Sequence, residues 1–456
     1  MTITNGGVSF WHAELGYPQL REPLAGPLRV DVCIVGAGLT GLWTAYYLKK
    51  AVPTLDIAVL ERSYAGYGAS GRNGGWLSAA LAGSPDRYAE RNGIDAVRDL
   101  QQSMIESVDE VIRVAEEEGI DANILKGGVL RVARAPSQLA RLRASIGESA
   151  RWGDTQLLLS AQQTVERVAV EGALGSAYSP NGARLQPAKL VRGLARVVAE
   201  MGVTIFESTP VTEIRPHQAC TPFGTVEATY VLRATEGFTA SLRGLRRIWL
   251  PMNSSMIVTE PLSPATWQQI GWRCGETLGD SAHAFMYAQR TIDDRIAIGG
   301  RGVPYKFGSR VDHDGRTNPK TITELRGILE GLFPSVAGIA IDHAWSGVLG
   351  VPRDWCASVG LERNTGLGWA GGYVGHGVTA TNLAGRTLRD LVLGDDTAAT
   401  RLPWVDWRVR KWEPEPLRWI GVYALYAAYH AADRAELDGR TTTSSIAKIA
   451  NRISRR

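Results

Sequence analysis

The most telling residues in this chain are glycines, set at intervals that suit the gripping of a phosphate. Gly36-Ala37-Gly38-Leu39-Thr40-Gly41 separates a short apolar run, Arg29 to Val35, from a helical pattern, Leu42 to Lys50. A second apolar run, Asp56 to Leu60, ends at Glu61 and Arg62, with Glu61 about twenty residues past Gly41. Each part has a physical task. Gly36 permits a tight turn, Gly38 lets the backbone approach a pyrophosphate, and Gly41 lets the helix pack on the strand. The helix N-terminus attracts phosphate charge, and a carboxylate at Glu61 can accept hydrogen bonds from both ribose hydroxyls. A lone G-x-G-x-x-G is a weak signal. Here strand, loop, helix, strand and terminal acid occur in order, which marks a dinucleotide site.

That motif does not separate NAD from FAD, but the continuation does. Five of the ten residues from Gly66 to Gly75 are glycine, too many for a helix or strand interior, and the loop contains Gly68-Ala69-Ser70-Gly71-Arg72-Asn73-Gly74-Gly75. With this loop the chain resembles the D-amino-acid oxidase superfamily of flavoproteins. Within it, the sequence is most similar to the γ-glutamylputrescine oxidase-like amine oxidases, where a G-A-S-G-R-N-G-G loop follows the ribose-binding acid. Val203 to Ile214 reads as a strand pair near Val211, the place where such proteins pack backbone on adenine. Thr225 to Gly237 resembles their strand ending in an A-T-x-G turn, at Ala234, Thr235 and Gly237. Gly366 to Gly377, with Gly372, Gly375 and His376, opens a helix that begins at Val378 and Thr379 and resembles the family's C-terminal flavin fingerprint. A helix N-terminus there would stabilise the negative charge of a reduced flavin.

The resemblance implies FAD, bound without a covalent link. Cys356 is the nearest thiol, but the linking position of covalent relatives aligns nearer Ser346 or Gly347, so Cys356 is expected in the core. It implies an α/β fold: a Rossmann-like FAD-binding domain of the glutathione-reductase type 2 kind, interleaved with a mixed-sheet α+β substrate domain. The FAD-binding domain would comprise residues 1–95, 150–245 and 345–396, the cap 96–149 and 246–344, and a helical extension 397–456. It also implies removal of a hydride from the carbon beside an amine nitrogen, giving an imine that hydrolyses to aldehyde or ketone. Oxygen or another acceptor would take the electrons.

Hydride transfer of this kind needs positioning more than acid–base machinery. Arg72, Asn73, Trp76, Tyr373 and His376, inside the flavin loops, are the candidates to line the reacting face, with Trp76 standing where relatives commonly have smaller or polar residues. The helix N-terminus at His376 would disfavour its protonated form; a structural histidine is an equal reading. Tyr287, Arg290 and Arg301 lie on the substrate sheet, where an arginine could clamp a carboxylate; for Arg290 a solvated strand end is the plainer reading. Trp345 is either an aromatic wall or a core residue. Two other readings stay open, oxidation of an α-amino or α-hydroxy acid and a flavin-bound partner without turnover. Gly279-Asp280-Ser281-Ala282-His283 imitates a hydroxylase motif but reads as a hairpin turn.

The positioning elements sit in an ordinary globular composition, 44% hydrophobic and 21% charged. A net charge of +4 gives no footprint for nucleic acid. Cys33, Cys220, Cys274 and Cys356 form no C-x-x-C pair, so neither a zinc site nor a redox disulfide is expected, and no metal. The N-terminus lacks a signal-peptide pattern, so a cytoplasmic location is the default. In the tail, Pro414 and Pro416 precede a helix with Trp419, Tyr423, Tyr426 and Tyr429 at helical spacing. That stripe suggests packing on the body, with an oligomer contact or a membrane surface as alternatives.

Overall fold

The computed structural model describes residues 3–300, 305–311, 314–437 and 440–454. Its nucleotide layer forms where the sequence is most apolar. Leu28–Val35, Ile57–Leu60, Thr204–Phe206, Gly224–Arg233 and Leu367–Gly371 make a parallel sheet, Leu28–Val35 lying between Ile57–Leu60 and Gly224–Arg233. Buried on both faces, such strands read as continuous apolar runs. Antiparallel strands at Glu213–Arg215, Gln218–Thr221 and Ser358–Glu362 extend it.

Two helices whose N-termini open toward one cleft, Leu39–Ala51 and Gly377–Leu393, lie against each other. Gly385 makes this approach possible: a Cβ there would stand 2.8 Å from the Trp43 backbone. Asn382 donates to the Tyr47 hydroxyl, and that hydroxyl donates to Glu110 of the helix Ile94–Glu117, both at 2.8 Å.

The second layer is a nine-stranded sheet. Its order is Thr4–Asn5, Ile341–Val351, Leu250–Thr259, Ile296–Gly300, Tyr287–Arg290, Thr277–Asp280, Val129–Ala133, Gly175–Ser179 and Leu157–Ser160. The helix Pro319–Leu332 covers one face through Leu325 and Leu329. The layers interleave as expected, although strand membership differs at three places. Thr4–Asn5, Leu157–Ser160 and Gly175–Ser179, from segments expected in the nucleotide layer, pair in this sheet. The expected boundary at 345 falls inside one strand, Ile341–Val351, because that strand pairs with Leu250–Thr259 along its length. It therefore carries the second layer directly into the site. The turn at 279–283 joins the antiparallel strands Thr277–Asp280 and Tyr287–Arg290, a hairpin. No helix among the described residues is long and apolar enough to cross a membrane.

Candidate active site

The glycine turn is packed to contact. Gly36 has φ +110°, and a Cβ there would stand 2.7 Å from the Ala234 carbonyl; one on Gly41 would stand 2.0 Å from the Gly36 carbonyl. These contacts seat the helix N-terminus against the end of Gly224–Arg233. Ser70 Oγ accepts from the Leu39 amide at 2.8 Å, tying the second loop to the first. Glu61 accepts the amides of Ala37 and Ser63, each at 2.9 Å, and burial pushes its carboxyl up.

The loop 66–75 is held by its neighbours. Asn73 Nδ2 donates to the carbonyls of Ala69 and Ser70, and its Oδ1 accepts from Gly75. Ser9 donates to the Gly71 carbonyl at 2.5 Å, Trp11 to Asn73 at 2.8 Å and Trp345 to Arg72 at 2.9 Å. Arg72 itself donates to the carbonyls of Tyr67, Ser346 and Gly7 and lies over the Tyr67 ring.

These elements enclose a cleft of about 1180 Å³. Of the expected cofactor residues, Gly36, Gly38, Leu39, Thr40, Glu61, Arg62, Gly68, Ala69, Ser70, Asn73, Val211, Thr235, Gly375, Gly377 and Val378 line it. Gly41, Arg72, Gly74, Gly75, Gly237, Gly372 and Thr379 stand behind that lining. A Cβ on Gly74 would meet the Tyr287 ring, on Gly75 the Gln289 amide, on Gly237 Val348, and on Gly372 Pro352. Tyr373, expected at the reacting face, lines this cleft, its hydroxyl 3.2 Å from Thr40 Oγ1.

Glu236 is a charged lining residue that the sequence reading lacked. It occupies the x of the A-T-x-G turn with φ +41° and accepts the amides of Gly350 (2.6 Å) and Tyr373 (2.9 Å). Burial raises its carboxyl to about 7, against the pull of those amides and of Arg233. A non-glycine residue at positive φ was its one available signal, and backbone angles are not written in sequence.

A second cavity, of about 1160 Å³, adjoins the cleft at Leu349, which lines both. Tyr287 and His376 line it, with Asn253, Ser254, Val374 and Phe285. The Tyr287 hydroxyl is 2.8 Å from Ser254 Oγ, and burial raises its pKa to about 12, so the phenol stays neutral. Trp76 stands behind Tyr287, edge-to-face at 6.3 Å, and donates to the Ala288 carbonyl. Arg290 lies away from the cavity, paired with Asp294 over the Trp267 ring. Trp345 is buried among Phe10, Trp11 and His343. Cys356 is buried, its thiol raised to about 12 by burial. Arg301 lies outside the described residues.

The cleft fits FAD. It runs from the ribose-binding acid Glu61, past the glycine loop at Gly68 to Ser70, to the second helix N-terminus at Gly377. Two helix N-termini meet it, where anions are favoured. Beside the second of them Gly375, at φ +98°, lines the cleft and borders open space.

A two-layer nucleotide fold with an acid-terminated second strand, a glycine loop and a second helix N-terminus on one cleft defines the FAD-dependent oxidoreductases of the mixed-sheet class. The chain belongs to the DAO family, described as FAD dependent oxidoreductase, whose pattern matches residues 31–391. It is 32% identical over 382 residues to the gamma-glutamylputrescine oxidoreductase of Escherichia coli (strain K12), covering 82% of this chain and 86% of that one. It is 24% identical to the glycine oxidase of Geobacillus kaustophilus (strain HTA426), covering 82% and 96%. A crystal structure of glycine oxidase from Geobacillus kaustophilus superposes with a TM-score of 0.70 at 23% identity, over 84% of this chain and 99% of that one, a likeness of fold.

Proposed function

We propose that this oxidoreductase oxidises a primary or secondary amine at the carbon beside nitrogen, with non-covalent FAD. Bound FAD supplies the two-electron acceptor at flavin N5. The amine loses a hydride and a proton to become an imine, water splits the imine to an aldehyde or ketone and ammonia or a smaller amine, and oxygen taking the two electrons and two protons becomes hydrogen peroxide. The chain's own contribution is a cavity that holds a neutral amine beside the cleft, at Leu349 and His376.

The single observation that carries the reading is the lining of that cavity. Among its described residues there is no Lys, Arg, Asp or Glu; Tyr287, Ser254 and Asn253 offer neutral hydrogen bonds. A neutral amine is at home there, whereas a carboxylate would need a paired cation. Sequence similarity to a gamma-glutamylputrescine oxidoreductase agrees. The test is anaerobic flavin bleaching by polyamines, N-methyl amino acids and hydroxy acids. Reduction by amines alone supports the reading. Fast reduction by amino or hydroxy acids overturns it in favour of the acid substrates, and no reduction by any of them leaves a flavin carrier. Acid precipitation that releases all the flavin would establish the non-covalent link; the burial of Cys356 supports that outcome.

A further inference from the structure

The C-terminal helix Leu417–Leu437 lies beyond residues 31–391, the stretch that matches the family, yet it reaches the cavity. Tyr426 and Tyr429 form part of the cavity wall. Tyr429 is buried, stacks on His283 with ring centroids 5.9 Å apart, and donates to Asn451 at 2.9 Å. Tyr426 joins the apolar cluster of Met252, Val351, Trp355 and Val374.

The helix is tied at both ends. Ahead of it, Glu415 accepts the Tyr305 hydroxyl at 2.5 Å and the amides of Gly308 and Trp419. At its far end, Asp433 accepts the amides of His283 (2.7 Å) and Ala284 (3.0 Å), while Glu436 faces His283 Nε2 at 2.9 Å and Arg141 at 2.6 Å. A wall held this way keeps its shape when substrate enters.

On its other flank the same helix borders a hollow of about 1880 Å³ shared with the helix Pro319–Leu332. That hollow carries both signs of charge, Arg134, Lys320 and Arg434 against Asp280, Glu324 and Asp433. Tyr426 lines it too, so one aromatic ring has the apolar cavity on one side and the charged hollow on the other.

We propose that Tyr426 is a specificity-determining residue, ending the apolar part of the cavity and passing only a substrate's polar tail into the hollow beyond. The inference rests on the amine reading above and sharpens it: the preferred substrate is an amine with a short apolar stretch beside the reacting carbon and a polar or charged far end.

The experiment compares wild type, Tyr426→Ala and Tyr426→Phe by anaerobic flavin reduction with linear primary amines of rising length, each with a methyl or a polar end. In wild type, polar-ended amines are favoured once they are long enough to pass Tyr426. In Tyr426→Ala the short apolar amines weaken by about tenfold or more and the preference between ends collapses, while Tyr426→Phe, which keeps the ring, keeps the wild-type ranking. A uniform change across the series would overturn the proposal. Acrylamide quenching of the bound flavin gives a reading independent of substrate. It rises in Tyr426→Ala and stays low in Tyr426→Phe; equal quenching in all three also overturns the proposal. Wild-type flavin that no amine bleaches, with quenching raised in Tyr426→Ala, would sink the amine reading and leave the wall standing. Should Tyr426→Ala fail to fold, Tyr426→Leu serves in its place.

Discussion

The cofactor cleft and the proposed substrate cavity share the strand Ile341–Val351 and the residue Leu349, yet they are built from different material. The cleft is made largely of backbone, where Gly36 and Gly41 allow contacts that a Cβ would forbid and amides are aimed by two helix N-termini. The cavity is made of side chains drawn from separate parts of the chain, with Tyr287 from the large sheet, Trp355 and Val374 from loops, and Tyr426 and Tyr429 from the C-terminal helix. Backbone packing has no slack, because a carbonyl cannot rotate out of the way. Side-chain walls can repack. The cleft should therefore fail all at once and the cavity by degrees.

Gly41→Ala is the hardest blow to the backbone side. Its Cβ would lie 2.0 Å from the Gly36 carbonyl and 3.1 Å from Ile34 Cγ2. The expected outcome is colourless protein that takes up no FAD on reconstitution, with about 3 kcal/mol of stability lost. Gly38→Ala meets only Ser70 Oγ, at 2.8 Å, which can turn aside, so it should weaken FAD binding without abolishing it. Absorbance after gel filtration with excess FAD checks both. A yellow Gly41→Ala protein would break the contrast.

Glu436→Ala attacks the side-chain region at its anchor. Its carboxylate is fully buried and serves Arg141, His283 and the Ser444 amide. Breaking such a buried pair costs about 3–5 kcal/mol, here confined to the C-terminal helix. Hydrogen exchange should quicken across residues 417–437 while the flavin stays bound. Those same partners outweigh desolvation and hold Glu436 down at about 2 from an ordinary 4.5. A lowered carboxylate stabilises the fold above its ordinary value and loses that effect as pH falls through the folded value. Acid should thus loosen the helix between about 4.5 and 2 in wild type but add nothing in Glu436→Ala.

The same contrast explains what was legible beforehand. The glycine turn, Glu61, the loop 66–75 and the helix at Gly377 were readable because few residues besides glycine tolerate those backbones, so the constraint is written in residue type. Glu236 was not readable, since its task depends on a left-handed φ and on amides from Gly350 and Tyr373, more than a hundred residues away. Arg72 and Trp76 were assigned to the reacting face by their place in the loop. Three carbonyls occupy Arg72, and Trp76 backs Tyr287, neither of which loop position reveals. The aromatic stripe of the tail was visible, but what it packs on is decided by topology.

Glu236 offers a smaller test, because it is a titrating group within the backbone-built cleft. Burial raises it from 4.5 to about 7, so the fold binds this proton more tightly than the unfolded chain does. Its contribution is fully present below 4.5 and is lost as pH rises through about 7. Thermal unfolding of flavin-free protein should show this fall, and Glu236→Gln should flatten that part of the profile. Parallel profiles would remove Glu236 from the account.

Tyr287 is where the two materials touch, and it carries the smallest expected effect. Its ring fills the space a Cβ would need at Gly74, 2.7 Å away, and at Gly299, 2.5 Å away, while its hydroxyl meets Ser254 on the cavity side. Tyr287→Phe keeps the ring against the loop and removes one hydrogen-bonding group worth about 1 kcal/mol. Flavin content should hold while the rate of anaerobic reduction by amine falls about fivefold. Gly74→Ala pushes the same ring from the loop side, so it should impair reduction and also loosen the flavin. If Tyr287→Phe instead released the cofactor, the ring and hydroxyl could not be divided between cleft and cavity in this way, and the two regions would be one cooperative unit.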